Sequence, residues 1–426
     1  MYIENYGCQM NISDSDIITS ILLKSGFILS EDLNQSNIIL LNACSIREKA
    51  ELTLIRKLEQ LQFLKKKKKI RIGLIGCFSK KIKNFFSQKK MVDFFVNPDY
   101  YREIPNFIYY SIMGKTGKKN ETYADISPIL NTKKITTFLS ITRGCDNMCT
   151  FCIVPFTRGR ERSNDPYSII NECERLYKNG YKEITLLGQN VDSYLWIIVD
   201  FSKLLDLLAE KIPFMRIRFS TSNPHDMSNE VLKVISKHKN ICKHIHLPVQ
   251  SGSNKILKLM NRKYTREQYL FLIQKIKNII PECSISHDIM TGFCNENEED
   301  HKDTISLMNE IKYHYGYMFS YSPRPGTYAY RRLEDNVPQY VKKKRLKEII
   351  DLQRKHSFYR MQEHLGKIEE VLIEGESKRN NQYWYGRNTQ NLIVIFPKKI
   401  LKKNIGDIAY IEITDTTSAT LIGQFY

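Results

Sequence analysis

Apolar and polar positions change their rhythm twice along the chain, and each change marks a different architecture. In the first stretch, short apolar runs alternate with segments of helical spacing. Tyr2 to Tyr6 reads as a strand followed by Cys8, and Ser13 to Ser25 carries apolar residues at helical intervals behind a serine placed to cap it. Asn37 to Asn42 is a second apolar strand ending at Cys44, with a helix from about Arg47 to Phe63, and Ile70 to Ile75 is a third, with Cys77 right behind it. From Lys133 to about Gln362 strand and helix alternate about six times, with strands at Thr137–Thr142, Glu183–Leu187, Arg216–Ser220, His244–Leu247, Ser284–Met290 and Tyr317–Tyr321. Six units are fewer than the usual eight and predict an open-sided barrel able to admit a large substrate. From Gly366 onward short alternating strands, among them Glu369–Glu374, Leu392–Phe396 and Ile408–Thr414, are separated by Gly375, Gly386 and Gly406. The predicted class is therefore α/β: an N-terminal open parallel α/β sheet over residues 1–130, a central partial (β/α)6 barrel over 131–362 and a small C-terminal all-β barrel over 363–426.

With 42% hydrophobic and 26% charged residues, the 426-residue chain has the composition of a globular protein of two to three domains. No apolar run approaches the roughly 20 residues that span a bilayer, which excludes an integral membrane protein of helical type. The N-terminus, Met1 to Tyr6, has neither the basic start nor the apolar stretch of a secretory signal, so a cytoplasmic protein is expected. Ten cysteines in that reducing compartment are to be tested first as metal ligands where they cluster. Lys plus Arg minus Asp plus Glu is 65 − 46 = +19, which suits a polyanionic partner such as nucleic acid. Lys, Ile and Asn crowd the whole sequence as an AT-rich genome would have it, so charge alone identifies no binding face. The run Lys65 to Lys69 follows a helical stretch and reads as solvated charge at the negative end of the helix dipole. From Gly366 onward eight basic residues barely exceed seven acidic ones, so the binding role of this stretch cannot be argued from charge.

Cys8, Cys44 and Cys77 each follow a strand. In an open parallel sheet the ligand crevice lies beyond the carboxyl ends of the strands, so three thiols there can converge on one metal site. The alternative is three unrelated buried cysteines. A sharper signal is Arg143-Gly144-Cys145-Asp146-Asn147-Met148-Cys149-Thr150-Phe151-Cys152, just after the first strand of the second domain. Cys-x3-Cys-x2-Cys spacing lets three thiolates hold three irons of a 4Fe–4S cluster and leaves one iron open. An open iron can chelate S-adenosylmethionine, whose reductive cleavage yields a 5′-deoxyadenosyl radical. A structural zinc is the competing reading, although zinc loops favour Cys-x2-Cys pairs and four ligands. Cys173, Cys242, Cys283 and Cys294 lack partner spacing and read as buried structural residues.

The cluster loop resembles the radical S-adenosylmethionine enzymes, and the wider sequence resembles their methylthiotransferase family. The likeness is carried by Tyr6-Gly7-Cys8-Gln9-Met10-Asn11, Leu41 to Ala50, Gly76-Cys77, Pro155 to Ser163, Leu187 to Val191, His246 to Ser253 and Arg324-Pro325-Gly326-Thr327. Gly-Cys-Gln-Met-Asn and Cys-Ser-Ile-Arg-Glu-Lys-Ala favour the branch that acts on dimethylallylated adenosine over sister branches that modify threonylcarbamoyl-adenosine in tRNA or a ribosomal-protein aspartate. The resemblance implies a transferase converting N6-dimethylallyladenosine beside the tRNA anticodon to its 2-methylthio derivative. It implies two 4Fe–4S clusters, an auxiliary one on Cys8, Cys44 and Cys77 and a radical-generating one on Cys145, Cys149 and Cys152, and two uses of S-adenosylmethionine. One molecule methylates a sulfur held at the auxiliary cluster, and the other yields the radical. It also implies a terminal TRAM-like barrel, a flavodoxin- or ferredoxin-like electron donor, no membrane and a monomer. A tRNA-binding protein with structural metal sites and no turnover is the reading from another class.

Gly188, Gln189 and Asn190 end a strand on the catalytic face, where amides can bond S-adenosylmethionine. His244 and His246 are expected to point to opposite sides of their strand, and the resemblance adds Gln250 beside His246 at the mouth of the active site. Arg158, Arg160 and Arg162 alternate, so that an extended loop presents all three toward phosphate or carboxylate or leaves them solvated. Two departures stand out. Gly292-Phe293-Cys294-Asn295-Glu296 replaces the family's Gly-Phe-Pro-Gly-Glu, which puts the turn in doubt, and the segment after Asn190 is short and lacks glycines.

Overall fold

In the computed structural model, which describes residues 1–44, 48–78, 80–110, 121–129, 134–398 and 403–426, four parallel strands open the chain. β1 (Tyr2–Tyr6), β2 (Ile38–Cys44), β3 (Arg71–Cys77) and β4 (Phe94–Val96) lie side by side in that order. Leu40 and Ile75 pack with Ile18 and Leu22 of α1 (Gln9–Lys24), while Ile39, Leu41, Ile72 and Leu74 pack with Leu54 and Leu58 of α2 (Glu48–Lys67). Covered on both faces, β2 and β3 are apolar almost throughout, which is why the sequence marks them so clearly. β4 has three residues, too few for a period to register. Residues 45–47, which include the expected helix start Arg47, and the expected boundary between 130 and 131 lie outside the described residues. Lys65, Lys66 and Lys67 fill the last turn of α2, as the dipole argument requires.

Helix α1 begins at Gln9 and not at Ser13. Its cap is Cys8, which offers no side-chain cap but whose carbonyl accepts the Asn11 N–H at 3.0 Å. The displaced start has a physical cause: this helix buries polar residues against a strand end. Asn11 Nδ2 donates to Asn42 Oδ1 (2.9 Å) and Ala43 O (2.8 Å), and Asn42 Nδ2 donates to Ser15 Oγ (2.9 Å). A helix face that is polar and buried shows no apolar period.

Six parallel strands form the central barrel: Thr136–Ser140, Glu183–Leu187, Arg216–Phe219, His244–His246, Ser284–Thr291 and Tyr315–Ser320. The third and fourth units are joined at Ile217, whose N–H donates to Asn240 O at 2.8 Å and whose carbonyl accepts from Cys242 N at 2.9 Å. The first and last strands remain the edges of an open sheet. Helix α1 lies against the first, and the 24-residue helix Gln339–Gln362 packs on the last. The altered turn holds without its proline: Asn295 takes the left-handed conformation (φ 63°) that glycine would take, and asparagine tolerates it. Its N–H donates to Asn336 Oδ1 at 2.9 Å and its Oδ1 accepts from Asn336 Nδ2 at 2.8 Å.

The C-terminal domain is a closed five-stranded barrel in the order Ile368–Glu376, Tyr383–Arg387, Ile393–Pro397, Thr420–Phe425, Ile408–Thr416. Tyr383–Arg387 and Thr420–Phe425 escape the sequence reading because neither has a clean apolar and polar alternation. This domain seals the amino-terminal end of the central barrel. Arg216 donates to Arg387 O (2.9 Å) and Glu370 O (3.0 Å), and Arg218 to Asn388 O (2.8 Å) and Thr389 O (3.2 Å). Ser284 Oγ donates to Gln390 O at 2.6 Å, and Asn391 Nδ2 to Tyr315 Oη at 2.7 Å. Deleting 363–426 therefore removes acceptors from two buried guanidinium groups, at a cost of about 3 kcal/mol or more. The truncated chain is expected to melt far below the intact one; an unchanged unfolding midpoint would show the domains to be energetically independent.

Candidate active site

The three cysteines expected at the auxiliary site are placed by strand register. Cys44 and Cys77 are directly opposed at the ends of β2 and β3, and Cys8 follows β1, where Tyr6 pairs with Ala43. Gly76 sits at φ 89°, and a Cβ there would lie 2.3 Å from Asn42 Oδ1, so only glycine lets β3 reach Cys77 along this path. The Cys44 thiol hydrogen-bonds to Cys8, and this with the Arg158 charge outweighs burial and pushes the Cys8 thiol down to about 6. The shift favours the thiolate, the form that ligates metal. Burial instead holds the Cys77 thiol up.

The second triad lies on the loop after the first barrel strand. Gln189 Oε1 accepts the Gly144 N–H at 2.6 Å, Met260 O accepts the Thr150 N–H at 3.0 Å and Asn261 Nδ2 donates to Met148 O at 3.0 Å. Arg262 Nη1 donates to Cys149 Sγ at 3.3 Å, and burial pushes the Cys152 thiol up to about 12. These partners come from two segments, Gln189 after the second barrel strand and Met260 to Arg262 after the helix Asn254–Leu259, so the loop is shaped before any metal enters. In each triad three sulfur donors beside an arginine fit an anionic 4Fe–4S cluster with one open iron. An open groove of about 1020 Å³ reaches Cys149 and Cys152 and is lined by Phe156, Lys255, Lys258, Tyr328 and Arg331.

The expected cofactor residues divide. Gly188 permits close packing, since a Cβ would meet Thr142 Oγ1 at 2.2 Å. Gln189 spends its Oε1 on the cluster loop. Asn190 is buried, donates to Asp226 Oδ2 at 2.6 Å and leaves its Oδ1 without a partner. Gln250 is held at φ 70°, its backbone bonded to Asp288 O and Met290 N, a strain that marks functional positions. Both amides can serve a ligand. Around Asn190 stand carboxylates that spacing did not reveal: burial pushes Asp192 and Glu161 up to about 7 each. A raised carboxylate favours folding at low pH, and that stability is lost as pH rises from about 4 to 7. Asp192→Asn should accordingly gain stability on wild type through that interval and no further above it; parallel denaturation curves at pH 5 and 7.5 would refute this.

Two expectations are corrected. His244 and His246 share a face, because positions two apart on a strand point the same way; Ser286 Oγ meets His244 Nε2 at 3.0 Å and His246 Nδ1 at 2.8 Å. The three arginines do not act together. Arg158 follows the short helix Val154–Thr157 and is buried on Asp14 at 2.9 Å, Arg162 pairs with Asp99 at 2.8 Å and Arg160 is exposed. Asp14 also accepts from Arg143, so α1 is tied to both ends of the cluster loop. Nothing in the spacing announces Asp14 or Arg262, whose partners lie more than a hundred residues away. The four unpartnered cysteines are buried as expected. The glycine-free segment after Asn190 forms a small hairpin, Leu195–Trp196 with Val199–Asp200.

Three family profiles match the chain: "Uncharacterized protein family UPF0004" over residues 1–97, "Radical SAM superfamily" over 139–308 and "TRAM domain" over 362–426. Among solved structures, the radical S-adenosylmethionine methyltransferase TsrM from Kitasatospora setae is similar with TM-score 0.58 and 11% identity, over 77% of this chain and 74% of that one. The cobalamin-dependent S-adenosylmethionine radical enzyme OxsB is similar with TM-score 0.54 and 14% identity, over 83% and 56%. At those identities the likeness speaks to fold alone. Curated relatives named tRNA-2-methylthio-N(6)-dimethylallyladenosine synthase come from Karelsulcia muelleri (58% identical, covering 100% of this chain and 98% of the relative) and Christiangramia forsetii (51%, covering 100% and 93%). Identity at this level along the whole of both chains places the protein in the methylthiotransferase branch of the radical S-adenosylmethionine enzymes, in the family of the tRNA-2-methylthio-N(6)-dimethylallyladenosine synthases.

Proposed function

We propose that this chain converts N6-dimethylallyladenosine beside the tRNA anticodon to its 2-methylthio derivative, using two 4Fe–4S clusters and S-adenosylmethionine. The observation that carries the reading is the pair of cysteine triads, at strand ends of two domains joined through one buried carboxylate. Cys145, Cys149 and Cys152 would hold the radical-generating cluster, and Cys8, Cys44 and Cys77 the auxiliary one. When bound, the clusters and S-adenosylmethionine supply a 5′-deoxyadenosyl radical and a place for the sulfur to be delivered. The protein's part is positional and electrostatic. Gln189 and Arg262 fix the cluster loop, Asn190 Oδ1 and the Gln250 amide are acceptors and donors for the cofactor's polar groups, and His246 stands at the mouth on Ser286.

The open edge of the central barrel and the net charge of +19 suit a tRNA. An external electron is needed, and the exposed Lys258 and Arg331 at the groove beside Cys149 suit an acidic flavodoxin- or ferredoxin-like donor. Among the described residues no helix is long and apolar enough to cross a membrane, and a cytoplasmic monomer is the state proposed. The test is mass spectrometry of tRNA nucleosides from cells lacking the protein: dimethylallyladenosine should accumulate with its methylthio derivative absent. Anaerobic reconstitution should yield about eight irons per chain. A colourless zinc protein would return the chain to a binding role.

A further inference from the structure

The inner wall of the central barrel follows from strand register. On the strand Ser284–Thr291, Ile285 and Ile289 point into the core beneath the helices, and His287 Nε2 meets Gln353 Oε1 of the helix Gln339–Gln362 at 2.8 Å. Residues at the alternate positions must face the barrel interior. Register sets Ser286 beside His246 and Tyr315, Asp288 beside Tyr317, and Met290 beside Phe319. The side chains agree: the Tyr317 ring stands edge-on to His246 with centroids 5.9 Å apart, and His246 Nε2 lies 3.4 Å from Asp288 Oδ1.

The last strand, Tyr315–Ser320, is an edge, so no further strand covers its inner face. Tyr317 is 50% exposed and Phe319 37%, whereas Met318 between them packs against the core. Two aromatic rings on one face of an open cleft, about 7 Å apart along the strand, suit a flat ligand with an apolar extension. This wall is continuous with the candidate active site. Met290 and Phe151 pack against the same buried cluster around Phe293, and Phe151 immediately precedes Cys152. On its other side Gln250 donates its N–H to Asp288 O at 2.8 Å.

We propose that Tyr317 and Phe319 determine which base the enzyme accepts, one ring stacking on the adenine and the other packing against the branched apolar chain on its N6 nitrogen. This rests on the reading that the substrate is dimethylallylated adenosine in tRNA. Every base has a π-face, so stacking by itself is indifferent to the base. The chain carries no hydrogen-bonding group, so apolar contact alone can recognise it, and a pair of rings supplies both contacts. A substituent bearing a carboxylate would instead meet the Asp288 carboxylate beside Tyr317 and be repelled.

The experiment uses the full-length reconstituted protein with S-adenosylmethionine and two anticodon stem-loop RNAs that differ only at the target base, N6-dimethylallyladenosine in one and adenosine in the other. Their Kd values are compared at one salt concentration, so that the phosphate contacts, common to both, cancel in the ratio. Wild type should prefer the dimethylallylated RNA by at least about tenfold, the scale on which an apolar pocket resolves a methylene group. Phe319→Ala and Tyr317→Ala should each cut that preference by at least about threefold, and KM for the dimethylallylated RNA should rise with it. A preference kept in both variants overturns the proposal; if their affinity for S-adenosylmethionine falls instead, the wall belongs to the cofactor. A wild type that forms methylthio product without preferring the dimethylallylated RNA overturns it too. Iron is measured on the same samples. Should one variant lose iron, the preference of the other decides, and loss from both makes the rings scaffold residues and overturns the proposal. A wild type that forms no methylthio product refutes the reading of the function itself, which is a different result from those that refute the wall.

Discussion

A Cys149→Ala protein is expected to form no 5′-deoxyadenosine and no methylthio-adenosine. Cys149 is one of three thiols on a loop clamped at Gly144, Thr150 and Met148, and the loop holds no fourth thiol to replace it. Two thiolates cannot hold the cluster. Arg262 would lose its sulfur acceptor, Cys149 Sγ at 3.3 Å, but stays held by Tyr264 Oη at 2.9 Å and Pro248 O at 3.0 Å, so the fold around the loop should persist. Both activities should fall by at least about a hundredfold, since even loss of a partner supporting a metal ligand reaches that scale. Auxiliary iron should remain, leaving about four irons per chain. 5′-Deoxyadenosine above about a hundredth of the wild-type yield from a sequence-verified variant would sink the assignment of this loop.

Cys44→Ala separates the two triads. The variant should keep about four irons and still release 5′-deoxyadenosine with a reductant, yet yield no methylthio product on dimethylallylated tRNA. Cys44 ends β2 opposite Cys77 and donates to Cys8, so its removal leaves two thiols and withdraws the hydrogen bond that favours the Cys8 thiolate. The radical triad should be untouched, because its clamp comes from Gln189, Met260 and Asn261 in the central domain. Iron, 5′-deoxyadenosine and modified nucleoside are to be measured on one sample. Normal product would return Cys8, Cys44 and Cys77 to ordinary core residues. Loss of 5′-deoxyadenosine as well would mean that the Asp14 bridge couples the sites so tightly that one fails with the other.

The strands were legible where burial is complete. Ile38–Cys44, Arg71–Cys77 and Glu183–Leu187, buried almost throughout, fall where the apolar runs put them, whereas the half-exposed edge strands Thr136–Ser140 and Tyr315–Ser320 lie one or two residues from where the runs suggest. Legibility fails where packing is polar. The first turn of α1 is hidden because Asn11 and Ser15 are buried against Asn42 and carry no apolar period. It fails again in the terminal barrel, where Tyr383–Arg387 pairs through its backbone with neighbours on both sides and needs no alternation of its own. The histidine pair was misread by geometry alone, since Ser286 touches both rings.

By itself the sequence determined the chemistry available. Two sets of three cysteines, one at Cys-x3-Cys-x2-Cys spacing and one at successive strand ends, are local patterns, and the local chain dictates them. Only the tertiary structure decided how the two sets stand to each other. Asp14 lies more than a hundred residues before Arg143 and Arg158, and a charge in isolation reads as solvated surface. Their meeting depends on α1 docking against the first barrel strand, which buries the carboxylate and makes its pairing with two arginines obligatory. The same holds for the domain at the far end. Its sequence has nearly balanced charge and no motif that names a contact, yet the carbonyls of Arg387, Asn388 and Thr389 cap Arg216 and Arg218 and close the barrel. A backbone carbonyl is the same in every residue, so its partner is chosen by where the chain passes and not by which residue it belongs to.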